Sequence, residues 1–305
     1  MSHLPHSRLG GWAAALATVL LWSGFFLSLK AGAQASLPLL GLALLRYGIP
    51  ALLLAPRYWQ ARVRFKAVPA RWRLAIMVGA GLPFFWLGAS GMQLAPVNQG
   101  SALIPGLVPL WVALLLWGLG ERCGPGRRLG LSLIASALLV MILTGAPGIW
   151  LGQLHFIGAA LLWALFTLGV KRSGLGPLDA AALVAVPSTL VLLPMVIWLG
   201  WPAGGTVQIW IWQGVIQGAG AGLGAALCYG HAIRVLGAEI TSAVGSLTPL
   251  VASALACLLL GEVLTLPHWL TLALLAIGVM LASRVASPSA LLPAAQQATT
   301  QATVQ

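Results

Sequence analysis

Acidic residues are almost missing from this chain: Asp and Glu number 4 among 305 residues, and charged residues of both signs make up 7%. A soluble domain carries about a quarter charged residues, so this chain lacks the means to clothe a water-facing surface. Cysteine is scarce too. Cys123, Cys228 and Cys257 build no disulfide framework, and the latter two fall in apolar runs, where cysteine serves as small packing material. Catalytic signatures are also wanting. The five histidines stand singly, and no HExxH, GxSxG, paired aspartates or phosphate-binding glycine loop occurs. A hydrolase or transferase is therefore disfavoured, no cofactor or metal is expected, and ATP-driven transport would need a separate subunit. A receptor or scaffold is a third class, but the segments between apolar runs are too short to present a binding domain.

What abounds is apolar sequence, at 60% of the chain. Ten apolar runs fall at 11–30, 37–56, 74–93, 97–118, 129–146, 153–171, 179–199, 208–229, 239–260 and 268–284. Crossing a bilayer takes roughly 20 residues. Inside hydrocarbon the backbone must satisfy its own polar groups, so such runs read as helices. The expectation is an all-α integral membrane protein with ten transmembrane helices. A net charge of +12 invites a nucleic-acid reading, yet the basic residues sit in short gaps with no basic domain. Membrane loops explain them better, and no nucleic-acid partner is expected.

Alternate gaps hold Arg8; Arg57, Arg62, Arg64, Lys66, Arg71 and Arg73; Arg122, Arg127 and Arg128; Lys171 and Arg172; Arg234; and Arg284, which is 14 of the 16 basic residues. By the positive-inside rule both termini are then cytoplasmic. Only Lys30, at the edge of a run, and Arg46, within one, depart from the alternation. The first run imitates a signal peptide but exceeds the ~7–15 residues of a signal core, so it reads as a span. The segment 287–305, rich in Ala, Gln and Thr and without charge, is expected to be disordered.

The chain repeats itself. Residues 20–30, LLWSGFFLSLK, align with 161–171, LLWALFTLGVK, matching Trp22 to Trp163, Phe25 to Phe166 and Lys30 to Lys171 at a shift of 141. Gly11 meets Gly152, Gly79 meets Gly220, Gly81 meets Gly222, and Leu119-Gly120-Glu121 meets Leu260-Gly261-Glu262 at the same shift. Matches among Leu and Ala carry little weight, but ordered Trp, Phe, Lys and Glu matches do. Each copy holds five spans, an odd number, so the copies insert in opposite directions. Secondary transporters use such inverted repeats, with the solute site near the midplane between them. The division is a short cytoplasmic segment 1–10, repeats at 11–148 and 149–286, and the tail.

The duplicated stretches SALIPGLVPLWVALLLWGLGER and TSAVGSLTPLVASALACLLLGEV each close a small-residue helix on Leu-Gly-Glu. With the Leu-Leu-Trp and Lys of runs 1 and 6 and Leu45-Arg46-Tyr47, they resemble the EamA family of the drug/metabolite transporter superfamily. The resemblance covers about residues 11–285. It implies a ten-helix bundle in a bacterial inner membrane that moves small organic molecules such as amino acids, often outward. One feature departs from symmetry: Pro187 stands where the shift from Arg46 would place a partner.

Arg46 lies about nine residues from either end of its run, where charge costs roughly 2.5 kcal/mol or more. Either it faces a central cavity and attracts a carboxylate, or it braces helix ends. Trp22, Phe25, Trp163 and Phe166 sit midspan on equivalent runs, with Trp86 and Trp111 adding further central aromatics. They either line a wet chamber or pack between helices, since tryptophan otherwise prefers the interface. Gln217 and Tyr229 are candidate hydrogen-bonding groups. Gly214, Gly218 and Gly222 form a close-packing or sliding face, and Pro105, Pro109 and Pro249 are candidate kinks.

Glu121 with Lys171, and Glu262 with Lys30, are candidate ionic latches at the two mouths; interfacial solvation, or Glu121 pairing with Arg122, is the plainer alternative. Gln99 and Glu239 correspond at a shift of 140 as polar openings of runs 4 and 9. No acid lies midspan. That favours facilitated diffusion, or coupling through Glu239 or His155, over an embedded-acid pump, with proton-driven efflux of drugs or other metabolites as the alternative.

Overall fold

The computed structural model describes residues 8–121 and 125–283, and among these there is no strand. Apolar runs without alternation form helices because only a helix closes its own hydrogen bonds in lipid. The helices are α1 (Arg8–Gln34), α2 (Leu39–Ala67), α3 (Ala70–Ala80), α4 (Leu82–Leu94), α5 (Val97–Gly118), α6 (Pro125–Leu143), α7 (Trp150–Ser173), α8 (Pro177–Leu199) and α9 (Val207–Gln213). A π-helical segment, Gly214–Gly224, then leads into α10 (Ala225–Leu236), α11 (Ala238–Gly245), α12 (Thr248–Leu260) and α13 (Leu266–Ser283). Helical backbone covers each of the ten apolar runs, and 7 stretches are long and apolar enough to cross a membrane. The N-terminal residues 1–7, Arg122, Arg284 and the 287–305 tail lie outside the described residues.

Leucines, isoleucines and tryptophans stand bare on the outside, among them Leu52, Ile197 and Trp198. In water such a surface would aggregate; in hydrocarbon it is the natural exterior. Inside, large residues such as Phe85, Phe156, Met92 and Leu183 are fully buried.

Two helices differ from the expected spans in an informative way. α2 runs on through the basic gap, because Ala61 and Phe65 continue its buried face while Arg57 and Arg64 reach across to α8. The third span breaks into α3 and α4 at Gly81, whose φ of −85° and ψ of −153° interrupt the helix. The candidate kinks behave differently from one another. α5 passes Pro105 and Pro109 unbroken, whereas α11 and α12 part just before Pro249.

Helix partners cross the middle of the chain. α1 packs on α10, the π segment and α12, while α7 packs on α3, α4 and α5; α2 lies against α8, and α6 against α13. Glycine permits the closest of these approaches. A Cβ at Gly11 would stand 2.7 Å from Val235 Cγ1 and 2.9 Å from Leu236 Cγ, and one at Gly152 would stand 2.8 Å from Ala95 Cβ and 3.2 Å from Leu94 Cβ. At Gly79 it would meet the Leu162 carbonyl oxygen and the Phe166 amide nitrogen, both at 2.5 Å. Gly218 and Gly222 let the π segment lie on α2, beside the carbonyls of Leu45 and Arg46.

Gly79→Ala is expected to force α3 from α7 and destabilise the fold by about 1–3 kcal/mol, as overpacking commonly does. Gly48→Ala has nothing within 4 Å of the new carbon and should leave the midpoint unchanged or slightly raised. Thermal unfolding of the two variants in one detergent compares them directly.

Candidate functional site

A cavity of about 430 Å³ lies among α1, α2, α3, α7, α8, the π segment and α10. That volume falls in the range of small-molecule sites. Its walls reach down to Val170, Pro177, Gly230 and Ile233, beside Lys171, Asp179 and Arg234 in the chain. The cavity therefore approaches the arginine-rich end of the bundle.

Arg46 forms part of the wall. Its Nη1 donates to the Gln217 carbonyl at 3.3 Å, and its guanidinium carbon lies 4.9 Å from the centre of the Phe25 ring. Among the described residues no carboxylate stands within ion-pairing distance of it. The neighbouring Tyr47 hydroxyl donates to the Ala80 carbonyl at 2.9 Å, at the point where α3 ends. A break in α-helical bonding thus adjoins each of these two side chains: the Gly81 interruption for Tyr47, and the π segment for Arg46. Irregular backbone at such depth is tolerated where it is buried in protein or lines a cavity, and π segments are frequent at functional sites.

Of the sequence-based candidates, Trp22, Arg46, Trp163, Phe166 and Tyr229 meet on the cavity wall. Trp22 stacks on Tyr229 with centroids 5.2 Å apart; Trp163 contacts Phe166 at 5.0 Å and Phe84 at 4.8 Å. Phe25 is buried behind the wall, under the guanidinium. Gln217 is wholly buried, its Nε2 donating to Ser28 Oγ at 2.7 Å. Trp86 and Trp111 lie off the cavity wall. Trp86 turns outward from α4 with 43% exposure, and Trp111 packs on α5 with its Nε1 buried and unpartnered among the described residues.

Away from the arginine-rich end, polar ties cross the bundle at Ser28. Gln213 Nε2 donates to the Ser28 carbonyl at 2.8 Å, and with Gln217 on Ser28 Oγ this ties α9 and the π segment to α1. Beyond these ties lies a second cavity of about 530 Å³, lined by Lys30, Gln34, Ser36 and Gln93.

The charged candidates find partners other than those expected. Lys30 Nζ donates to the carbonyls of Met92 at 3.1 Å and Ala95 at 2.9 Å, and Glu262 Oε1 accepts the Val97 amide at 2.7 Å. The two share one turn without pairing directly. Glu121 pairs with Arg172, and Lys171 is exposed; its proposed alternative partner Arg122 lies outside the described residues. Gln99 Oε1 accepts from Gln153 Nε2 at 3.1 Å. Glu239 lies near the start of α11, with its side chain outside the described residues. Two residues carried no site role in the sequence reading. Tyr47 lines the cavity. Asp179, 2% exposed, is held by Arg57 Nε at 2.5 Å and Arg64 Nη1 at 2.9 Å. As the chain's sole aspartate beside a run of arginines, Asp179 offered a signal for that pairing.

Residues 150–284 match the EamA-like transporter family. The second half of the chain is an EamA-like transporter domain. That domain and the apolar helices together support a membrane transporter of the drug/metabolite type, which fits a small-molecule solute and a lipid bilayer. A solved structure described only as the crystal structure of a protein is 20% identical. It aligns with 90% of this chain and 98% of its own, at a TM-score of 0.58. That likeness is one of fold, and it extends beyond the EamA-like domain into the first half. No curated protein matches the chain in sequence.

Trp22→Leu and Trp163→Leu should each lower solute flux in proteoliposomes several-fold, because truncating a buried aromatic forfeits roughly 1 kcal/mol or more of contact. Trp86→Leu, on the outward face, should stay within twofold of the parent in the same assay.

Proposed function

We propose that this chain carries small carboxylated metabolites, amino acids or related compounds, by alternating access in a bacterial inner membrane. Ten spans form two inverted five-helix repeats, 11–148 and 149–286, with both termini cytoplasmic. The observation that carries the reading is an arginine with no carboxylate partner among the described residues, on the wall of an aromatic-lined cavity. A guanidinium there can take a carboxylate by paired charge-assisted hydrogen bonds, while Trp22, Trp163 and Tyr229 accept an apolar side chain.

Packing supports the inverted repeat. Gly11 lies against Val235 and Leu236, and Gly152 against Leu94 and Ala95; adding 141 to the first half of each contact yields the other. Gly79 meets Leu162, and Gly220 meets Leu21. Helices that correspond to each other, α2 with α8 and α6 with α13, pack together, as a twofold axis requires. The departures from α-helix at Gly81 and in the π segment containing Gly222 also correspond. These contacts favour rocking groups that interleave the repeats, because α1 belongs with α10 and α12, and α7 with α3 to α5.

The basic residues favour a cytoplasmic side for the end that the cavity approaches. Asp179, in the chain beside the cavity-lining Pro177 and Ala180, is held by two arginines, which favours a facilitator over a proton-driven carrier.

Counterflow with purified protein tests the reading. Zwitterionic amino acids should exchange, and the corresponding decarboxylated amines should exchange at least tenfold more slowly. Arg46→Gln should cut amino-acid exchange about tenfold or more, the usual size of one hydrogen bond to a charged group, and should erase the preference over the amine. Equal exchange of acid and amine by the parent protein would refute a carboxylate site at Arg46.

A further inference from the structure

We propose that Lys30 and Glu262 act as a two-charge cap that holds the far end of the bundle shut, and that Lys171 and Glu121 form the same cap at the arginine-rich end in the opposite state. The inference rests on the inverted-repeat reading and adds to it the contacts of a conformation not yet seen.

The cap sits on the turn between α4 and α5. Lys30, reaching from α1, gives its ammonium to the Met92 and Ala95 carbonyls where α4 ends. Glu262, reaching from just beyond α12, takes the amide of Val97, the first residue of α5. Helix ends leave such carbonyls and amides without intrahelical partners. A cation at the C-terminus and an anion at the N-terminus also complement the helix dipoles. Each helix end therefore favours the sign of the charge placed on it, and opposite charges held on one turn attract each other. The second carboxylate oxygen of Glu262 is buried without a hydrogen-bond partner among the described residues, leaving it free to gain a donor when the turn rearranges. Together the two side chains pin α1 and the end of α12 to one turn.

Every member of this arrangement has a counterpart 141 residues away. Lys30 maps to Lys171, Met92 to Ile233, Ala95 to Leu236, Val97 to Ala238, and Glu262 to Glu121. The counterpart turn exists: α10 ends at Leu236, and Ala238 opens α11. There the charges stand elsewhere. Glu121 is paired with Arg172, Lys171 is exposed, and Ile233 lines the open cavity. The cap is made at the Lys30 end and unmade at the arginine-rich end, which the cavity approaches. In the opposite state the Lys171 ammonium takes the carbonyls of Ile233 and Leu236, Glu121 leaves Arg172 for the Ala238 amide, and the Lys30–Glu262 cap comes apart.

The test reads which face of the membrane reaches the cavity. A single cysteine is placed at Ala181, on the cavity wall, in full-length protein with Cys123, Cys228 and Cys257 replaced by serine. An impermeant maleimide is added to either face of sealed vesicles. Lys30→Met should raise labelling from the far face about fivefold relative to the arginine-rich face, the population shift that a kcal-scale contact supports. Lys171→Met should move the ratio the other way. Glu262→Gln, which keeps an acceptor for the Val97 amide, should follow Lys30→Met with a smaller shift and serves in its place if that variant fails to insert. In a second measurement, Glu121→Cys with Ala238→Cys should be joined by a short thiol crosslinker, in a yield that rises when Lys30→Met is added. Shifts in the same direction for the two lysine variants, or no shift, overturn the cap. Cysteines at Arg62 and Ala146 separate the two levels of inference. If both label from one face, the inverted repeat falls and the cap with it; if they label from opposite faces while the lysine variants leave the ratio unmoved, only the cap falls.

Discussion

A carbonyl released from its helix inside an apolar bundle must find a donor, because neither lipid nor leucine can supply one. This constraint organises the centre of the molecule. The Gly81 break puts the Ala80 carbonyl in reach of the Tyr47 hydroxyl, and the Gln217 carbonyl of the π segment is met by Arg46. Consecutive residues of α2 thus brace an irregular stretch on either side. The arginine is held at a depth where a bare charge would be expensive, and the irregular backbone that needs it shapes the cavity wall on which its remaining donors can act.

Small residues set how near the helices come. Gly79, Gly152 and Gly218 bring backbones or side-chain stems into contacts that any Cβ would obstruct. Close approach replaces the hydrophobic drive, which is weak between helices already surrounded by lipid. Polar ties then fix particular pairs: Asp179 with Arg57 and Arg64 joins α8 to α2, and the glutamines of α9 and the π segment join Ser28 of α1. Such ties gather at one end of the bundle while the main cavity approaches the other, so the two ends differ although the halves share a sequence pattern.

Much of this was legible before any coordinates. Helices at all ten apolar runs followed from length and hydropathy, and the midspan Trp22, Trp163, Phe166 and Arg46 line one cavity with Tyr229 from a span end. Where prediction and structure part, the reasons are local. Trp86 shares midspan depth with the cavity tryptophans, but hydropathy reports depth and is blind to rotation about the helix axis. α2 outran its apolar run because Ala61 and Phe65 stay buried while the arginines beside them find Asp179, a partner 122 residues away. The charge pairs were drawn between side chains of opposite sign, whereas Lys30 and Glu262 chose the backbone ends of α4 and α5, groups that no one-letter code displays.

The amino-acid sequence alone determined that the chain lives in a membrane, that its elements are helices, and that its halves share a pattern at a shift of 141. Scarce charge, apolar length and repeated Trp, Phe, Lys and Glu are one-dimensional properties that solvent and backbone chemistry convert directly into structure. Only the tertiary structure decided which face of each helix meets the cavity, that Arg46 stands without a carboxylate among the described residues, and which turn the charges cap. Those outcomes depend on rotation, close approach and helix breaks set jointly by residues far apart in the chain, and no single segment encodes them.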